Sequence, residues 1–344
     1  MEGPLVLQSS HKTDILVPTR CSSLSNNMIS IQRTTAHLLL LVLGCTGTSD
    51  NVFDRNQQEP TNMTTAGSNA RSLQSPSSSS IQHVVQFYAL SDAPFGTKER
   101  ERFPAQLQHL ESRPEFLVHL GNVRERQQEC NDNVHMDVVA DALLQHSKLP
   151  TFVVPGDSDW YNCLDQDAAW LKWQSRFGRF QDEWPNHPFQ VSHQDVRPEN
   201  FVFVHKGVLF VSFHVLSSTV RDWDLWNALV KDNVSWLEHV LLANAFSDDI
   251  GAIVLLAHAQ PHLRRYRLFY ESLVSVTASI DKPMLYLHGD DHVFGVDNGE
   301  SYLPGVHNLM RVSVAQGGDE GPLQVTVNPY GEIPFSFKRR SVVE

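Results

Sequence analysis

From residue 81 onward the chain alternates short apolar runs with longer amphipathic stretches. Val84–Leu90, Phe116–Leu120, Thr151–Val154, Ala252–Ala257 and Pro283–Leu287 are compact and rich in β-branched and aromatic residues, which predicts buried strands. Between and after them, Glu99–Ser112, Val134–His146, Ala168–Phe180, Trp223–Phe246 and Leu268–Ser279 predict helices. The two Trp and two Phe of Ala168–Phe180 fall on helical spacing and read as core. Phe201–His205 and Val208–Val215 flank Lys206-Gly207 and predict a β-hairpin. Leu309–Ala315, Leu323–Val327 and Ile333–Phe337 alternate like antiparallel strands. With no internal repeat and no long linker after residue 80, the pattern predicts one α/β domain over 81–338, about 260 residues, and a short tail over 339–344.

The first 80 residues have a different texture. Met28–Arg33, the apolar run Ala36–Cys45 and the small residues after it have the layout of a secretory signal, which makes 1–47 a leader with translation starting at Met28. The apolar run is far shorter than the roughly 20 residues a membrane span needs. Val42-Leu43-Gly44-Cys45 also resembles a lipid-attachment box, with Leu43 bulky for its place. Secretion is therefore the expected destination, with a lipid anchor on Cys45 as the alternative. Residues 48–80 are Ser/Thr-rich and bury too little apolar surface to fold, so they read as a linker. Asn62-Met-Thr64 and Asn233-Val-Ser235 are glycosylation sequons, relevant only in a eukaryotic secretory pathway.

Charge narrows the partners. With 27 Lys+Arg against 39 Asp+Glu the formal net charge is −12, which argues against nucleic acid or anionic lipid. The four cysteines, Cys21, Cys45, Cys130 and Cys163, form no C-x-x-C pair.

The chemistry sits where predicted strands end. Asp92, Asn122, Asp157 with Asp159, His258 with His262, and His288 with Asp290 and His292 each follow an apolar run. If the strands share a sheet and a direction, all five loops meet at one edge, where open α/β sheets place their ligands. Carboxylate, amide oxygen and imidazole form a ligand set for Zn, Fe or Mn, and a metal pair about 3.5–4 Å apart clamps a phosphate and activates water. A single Asp after a strand is more often a turn former, and Asp157-Ser158-Asp159 reads equally as a turn or a metal site.

The ordered blocks carry a resemblance. Ser91-Asp92-Ala-Pro-Phe95, His119-Leu-Gly-Asn122, Pro155-Gly-Asp-Ser-Asp-Trp-Tyr-Asn-Cys163, His258-Ala-Gln-Pro261 and His288-Gly-Asp-Asp-His292 resemble, in order, the motifs of the calcineurin-like metallophosphoesterases. They are most similar to a subgroup whose third motif reads GDNEW. The resemblance covers about Ile81–Phe337. It implies a two-sheet αββα sandwich, one or two divalent ions (Mn, Fe or Zn) and a metal-activated hydroxide attacking the phosphorus of a phosphomonoester or diester. Carried over, Asp92, Asn122, Asp157, His258, Asp290 and His292 are metal ligands, and His258, Asp157 and Ser158 occupy catalytic positions. The subgroup's cysteines fall at Cys130 and Cys163, implying a disulfide worth about 2–4 kcal/mol.

Three positions depart from the pattern. Asn122 stands where a bridging Asp is usual and removes a negative charge between two dications, which weakens a second metal in particular. Pro94 replaces a His beside Asp92. Ser158 replaces the general acid, a role typically worth about 10²–10⁴-fold; His262 or His288 are possible substitutes. These departures leave an alternative: a catalytically impaired relative that acts as a binding protein. Gly156-Asp157-Ser158 also resembles the GDS block of serine hydrolases, but no matching Asp-x-x-His follows near the end of the chain.

Overall fold

The computed structural model describes residues 83–125, 130, 133–261, 264–299, 303–318 and 320–341. The signal-like leader, the Ser/Thr-rich stretch, Asn62 and His262 lie outside them. In chain order the elements are β1 (Val85–Leu90), α1 (Gly96–Gln108), β2 (Phe116–His119), α2 (Asn133–His146), β3 (Thr151–Val153), α3 (Gln166–Phe177), β4 (Ser192–His193), β5 (Phe201–His205), β6 (Val208–Phe213), α4 (Trp223–Asn244), β7 (Ala252–Ala257), α5 (Arg267–Thr277), β8 (Met284–His288), β9 (Gly295–Asn298), β10 (Leu309–Ser313), β11 (Gly321–Val327) and β12 (Phe335–Arg340).

The strands form two sheets, ordered β12-β11-β1-β2-β3 and β4-β5-β6-β7-β8-β10-β9. The strands that end in candidate site loops therefore do not share one sheet: β1, β2 and β3 run parallel in the first, and β7 and β8 in the second. Side chains alternate across each strand, so every central strand feeds two cores. Phe87, Val118, Phe152, Phe210, Val254 and Leu285 pack between the sheets. On the outer face of the smaller sheet, Tyr88, Leu117 and Val153 meet Phe103 and Leu107 of α1 and Trp173 and Phe177 of α3. On the outer face of the larger sheet, Val211, Leu255 and Tyr286 meet Trp226 and Leu237 of α4 and Phe269 of α5. The result is the four-layer αββα sandwich. Strands buried on both faces read as continuous apolar runs, which is why their positions were legible.

Local signals explain the helix ends. Asp165 caps α3 by accepting from the Ala168 N–H at 2.9 Å, and Asp222 caps α4 through the N–H groups of Asp224 and Leu225. The helix expected over Ala168–Phe180 stops at Phe177, with Gly178 as its C-cap; Trp173, Phe177 and Phe180 are core residues, as expected. The 201–215 hairpin forms as expected, β5 against β6. Leu309–Ser313 corrects an expectation: it is antiparallel to β9 but parallel to β8, because it is central in its sheet. Two-residue β4 and the polar, half-exposed edge strand β9 carried no apolar run to predict them. Asn233, the second sequon, is fully buried: its amide donates to the His214 carbonyl (2.7 Å) and accepts from Asn200 (3.0 Å), so this fold offers no room for a glycan there. Among the described residues no helix is long and apolar enough to cross a membrane.

Candidate functional site

The parallel strands of both sheets deliver their carboxyl ends to one edge. There a cleft of about 520 Å³ opens, lined by Asn122, Asp157, Ser158, Asp290 and His292 at its floor and by Phe95, Glu99, Glu125 and Gln316 at its walls. Four residues at this edge have left-handed backbone: Asp92 (φ 53°), Asn122 (φ 57°), Asp290 (φ 64°) and His292 (φ 58°). Asn, Asp and His are the types that tolerate this region best, and their concentration at one sheet edge marks a site whose loops are held in costly conformations.

Two glycines let the β2 and β3 loops approach. A Cβ on Gly121 would lie 2.7 Å from the Gly156 nitrogen, and a Cβ on Gly156 would collide with the Asn122 backbone nitrogen and side-chain oxygen. Asp159 then clamps the pair. Its two oxygens accept from the N–H groups of Val123 (2.8 Å), Gly156 (2.8 Å) and Asn122 (3.1 Å). Burial pushes its pKa up to about 6 against the pull of those donors and the fields of His258 and Arg124. The Asp-x-Asp motif thus divides: Asp159 is the turn, and Asp157 points into the cleft.

On one side of the floor, Asp157, His258 and Asp290 each offer a ligand atom, all within 4.8 Å of one another. His258 Nε2 lies 3.1 Å from Asp157 Oδ1 and 3.8 Å from Asp290 Oδ1. Its Nδ1 is 2.8 Å from the Leu120 carbonyl, an acceptor only, so Nδ1 carries a proton and Nε2 presents toward the carboxylates. Asn162 donates to Asp157 Oδ2 at 2.9 Å, Ser218 donates to the same oxygen, and Ser217 donates to Asp290 Oδ1 at 2.7 Å. Burial opposes the charge on His258, but the hydrogen bond with Asp157 and the fields of Asp92, Asp157 and Asp290 outweigh it and raise its pKa to about 10. Burial would likewise raise Asp157; its bond with His258 prevails and holds it well below the usual carboxylate range.

These donors fit one divalent cation. Ligand atoms that share a first-row ion at about 2.1 Å sit roughly 3–3.5 Å apart, close to the spacings of His258 with the two carboxylates. The fixed imidazole tautomer and the hydroxyl and amide donors to the carboxylates are the outer contacts that metal ligands generally have.

On the other side, Asp92 is fully buried. Its Oδ1 accepts from Asn122 Nδ2 at 2.9 Å and lies 3.4 Å from His292 Nε2; its Oδ2 accepts from Ser91 Oγ (2.6 Å) and the Asp290 N–H (3.1 Å). Burial is again outweighed, here by His292 and His258, and its pKa falls to about 2. Of the six residues singled out as metal ligands, Asn122, Asp157, Asp290 and His292 line the cleft, and Asp92 and His258 are fully buried in contact with them. Ser158 lines it too, donating its backbone N–H to Asn122 Oδ1 at 2.9 Å.

Other residues serve from behind. His288 Nε2 accepts from Arg311 Nε at 2.8 Å, and Arg311 also binds Asp291, Asp297 and Gln260, which pins the loop carrying Asp290 and His292. His119 is buried, with Nε2 2.8 Å from the Ala93 carbonyl and Nδ1 accepting from the Gly121 N–H. Cys130 and Cys163 form a disulfide, Cα–Cα 5.6 Å, and the Arg124 guanidinium lies against Cys163 Sγ at 3.4 Å. Ser217, Ser218, Arg124 and Arg311 were absent from the sequence reading, and Asn162 stood in the third block without a role. Ser217 and Ser218 carried the same signal as the others, polar residues just past an apolar strand; Arg311 lies inside β10 and carried none.

No family model matches the chain, and no curated protein matches it. Solved structures with some likeness include GAP50, the anchor in the inner membrane complex of Plasmodium, at 14% identity and TM-score 0.40, over 76% of this chain and 90% of that one. The 5'-nucleotidase from Candida albicans aligns at 10% identity and TM-score 0.45, over 75% and 52%. Purple acid phosphatase PPD1 from yellow lupin (Lupinus luteus) seeds aligns at 11% identity and TM-score 0.44, over 75% and 54%. This chain spans about half the length of the latter two.

Proposed function

We propose that the chain is a secreted, metal-dependent hydrolase of phosphoesters, with Asp157, His258 and Asp290 holding the cation. The supporting observation is the convergence of these three ligand atoms beside an open cleft lined by Asp157 and Asp290, each residue with its own hydrogen-bond partner. The substrate class rests on the ordered motifs and their resemblance to calcineurin-like metallophosphoesterases. A divalent cation bound there supplies Lewis acidity, polarising a phosphoryl oxygen and lowering the pKa of a water.

The chain's own groups do the rest. Leu120 holds the His258 proton at Nδ1. Ser217 and Ser218 fix the rotamers of Asp290 and Asp157. Ser158 has no ionisable proton near neutral pH, His288 is committed to Arg311, and both nitrogens of His119 are engaged. None of these three protonates a leaving alcohol, and His262 lies outside the described residues; without an acid, turnover depends steeply on leaving-group acidity.

The test is hydrolysis of 4-nitrophenyl phosphate and bis(4-nitrophenyl) phosphate by the purified chain with Mn²⁺, after chelation, and after Mn²⁺ is restored. Turnover that vanishes and returns with the cation is expected, with alkyl esters much slower. Absence of turnover on both esters while Mn²⁺ is bound would overturn the proposal.

A further inference from the structure

Asn122 stands between the two halves of the floor, and the direction of its amide is fixed by three contacts. Nδ2 donates to Asp92 Oδ1 (2.9 Å) and approaches Asp157 Oδ1 (3.4 Å), while Oδ1 accepts the Ser158 N–H (2.9 Å). Turned over, the amide would set its oxygen against two carboxylates and its NH₂ against a backbone N–H. Both ends would then be repulsive, so the network leaves no ambiguity in the assignment. The atom facing both half-sites is a donor, and a donor does not ligate a cation.

The Asp92 side is also saturated. A carboxylate has about four lone-pair positions. Those of Asp92 face Asn122 Nδ2, His292 Nε2, Ser91 Oγ and the Asp290 N–H. Asp157 also meets four groups, Asn162 and Ser218 at Oδ2 and His258 and Asn122 at Oδ1, but the Asn122 amide stands farther from it (3.4 Å) than from Asp92 Oδ1 (2.9 Å), and its nearer inner neighbour, at 3.1 Å, is the His258 imidazole, itself a ligand type.

We infer that the centre binds one divalent cation, at Asp157, His258 and Asp290, and that the Asn122 amide takes the place of a second by cross-linking Asp92 to Asp157. Asn122 is then a structural bridge rather than a ligand, and His292 Nε2 stands 3.4 Å from Asp92 Oδ1. Gly156 supports this, since any larger residue there would displace the Asn122 amide. The inference rests on the hydrolase reading only for the identity of the first cation site.

The experiment is Mn²⁺ stoichiometry of the full chain and of Asn122→Asp, by equilibrium dialysis and by electron paramagnetic resonance. One Mn²⁺ per wild-type chain, with the spectrum of isolated ions, is expected. Asn122→Asp is expected to take up a second and to show an exchange-coupled pair. Its second Mn²⁺ should bind more than about 100-fold tighter than any second ion in the wild type, beyond the 10–100-fold that an outer contact typically brings. Two Mn²⁺ in the wild type, none in the wild type, or one in a folded Asn122→Asp would each overturn the inference. If Asn122→Asp does not fold, the wild-type stoichiometry and spectrum decide. One bound Mn²⁺ without ester turnover would sink the hydrolase reading and leave this one; two with turnover would do the reverse.

Discussion

The two halves of the cleft floor are built from the same residue types and are prepared for different tasks. Behind Asp157, Asn162 and Ser218 hold Oδ2, the oxygen turned away from His258, while Ser217 meets Asp290 Oδ1 from the cleft wall. Around Asp92 the donors stand in front: Asn122 and His292 reach its inner oxygen directly. Each half has two or three potential ligands, so counting ligands does not separate them. The side from which a carboxylate is satisfied does. Low dielectric makes a partner obligatory for either carboxylate. A partner in front fills the place a cation would take, and one behind leaves it open.

The largest effect expected from breaking this contrast comes from His258→Ala. Removing the imidazole takes a ligand and leaves Asp157 and Asp290 facing each other. Ester turnover should fall by about 10³-fold, equivalent to about 4 kcal/mol, with loss of Mn²⁺ binding by dialysis. Asp92→Asn, by comparison, should leave Mn²⁺ stoichiometry at its wild-type value.

Gly156→Ala comes next and strikes the Asn122 side. The new methyl overlaps backbone as well as the amide, and backbone yields little. A loss of about 3 kcal/mol in urea unfolding is expected; a change under about 0.5 kcal/mol, the scale of ordinary surface substitutions, would show that the two loops are not in the tight register described.

A pH experiment tests the layer under the Asn122 side. Burial lowers the His119 pKa to about 4, overriding the Ala93 carbonyl and the field of Asp92. The folded value lies below the unfolded value of about 6.5, so stability from neutral His119 is complete above that pH and is lost as pH falls toward 4. Between pH 7 and 5 the stability difference between the wild type and His119→Gln should shrink by about 2 kcal/mol, read from urea midpoints. Taking the difference cancels Asp159, whose raised pKa works in the opposite direction over the same range. A pH-independent difference would contradict a neutral buried imidazole.

The smallest effect sharpens the comparison instead of breaking it. Ser218→Ala removes one donor behind Asp157 and leaves Asn162 in place. Mn²⁺ affinity should drop by about 10-fold, the lower end for an outer contact, without change in stoichiometry. No change in affinity would mean that the donors behind Asp157 do not prepare that half-site.

Much of this was legible along the chain, for reasons that differ between residues. Asp92, Asn122, His258 and Asp290 each follow an uninterrupted apolar run, and a polar residue there must face the sheet edge whatever its partners are. Asp157 and Asp159 show where that logic ends. They have the same side chain two residues apart; one enters the cleft and the other is buried as a clamp, and nothing local distinguishes them. The Cys130–Cys163 bridge was available only through resemblance. Arg311 was invisible because its partners, on strands β8 and β9 and the loops after β7 and β8, meet only after the larger sheet is assembled.

The sequence by itself determined the class of the fold, the edge at which chemistry collects and the residue types gathered there, because strand period and run length act over a few residues. Only the tertiary structure decided that five loops from two sheets share one floor, that Asp157 and not Asp159 faces it, and which way the Asn122 amide points. Those outcomes depend on groups 30 to 200 positions apart in the chain, such as Asn122 with Asp92 or Asp290 with Asp92. Hydrogen bonds of that kind are set by the packing of whole layers, which no local pattern encodes.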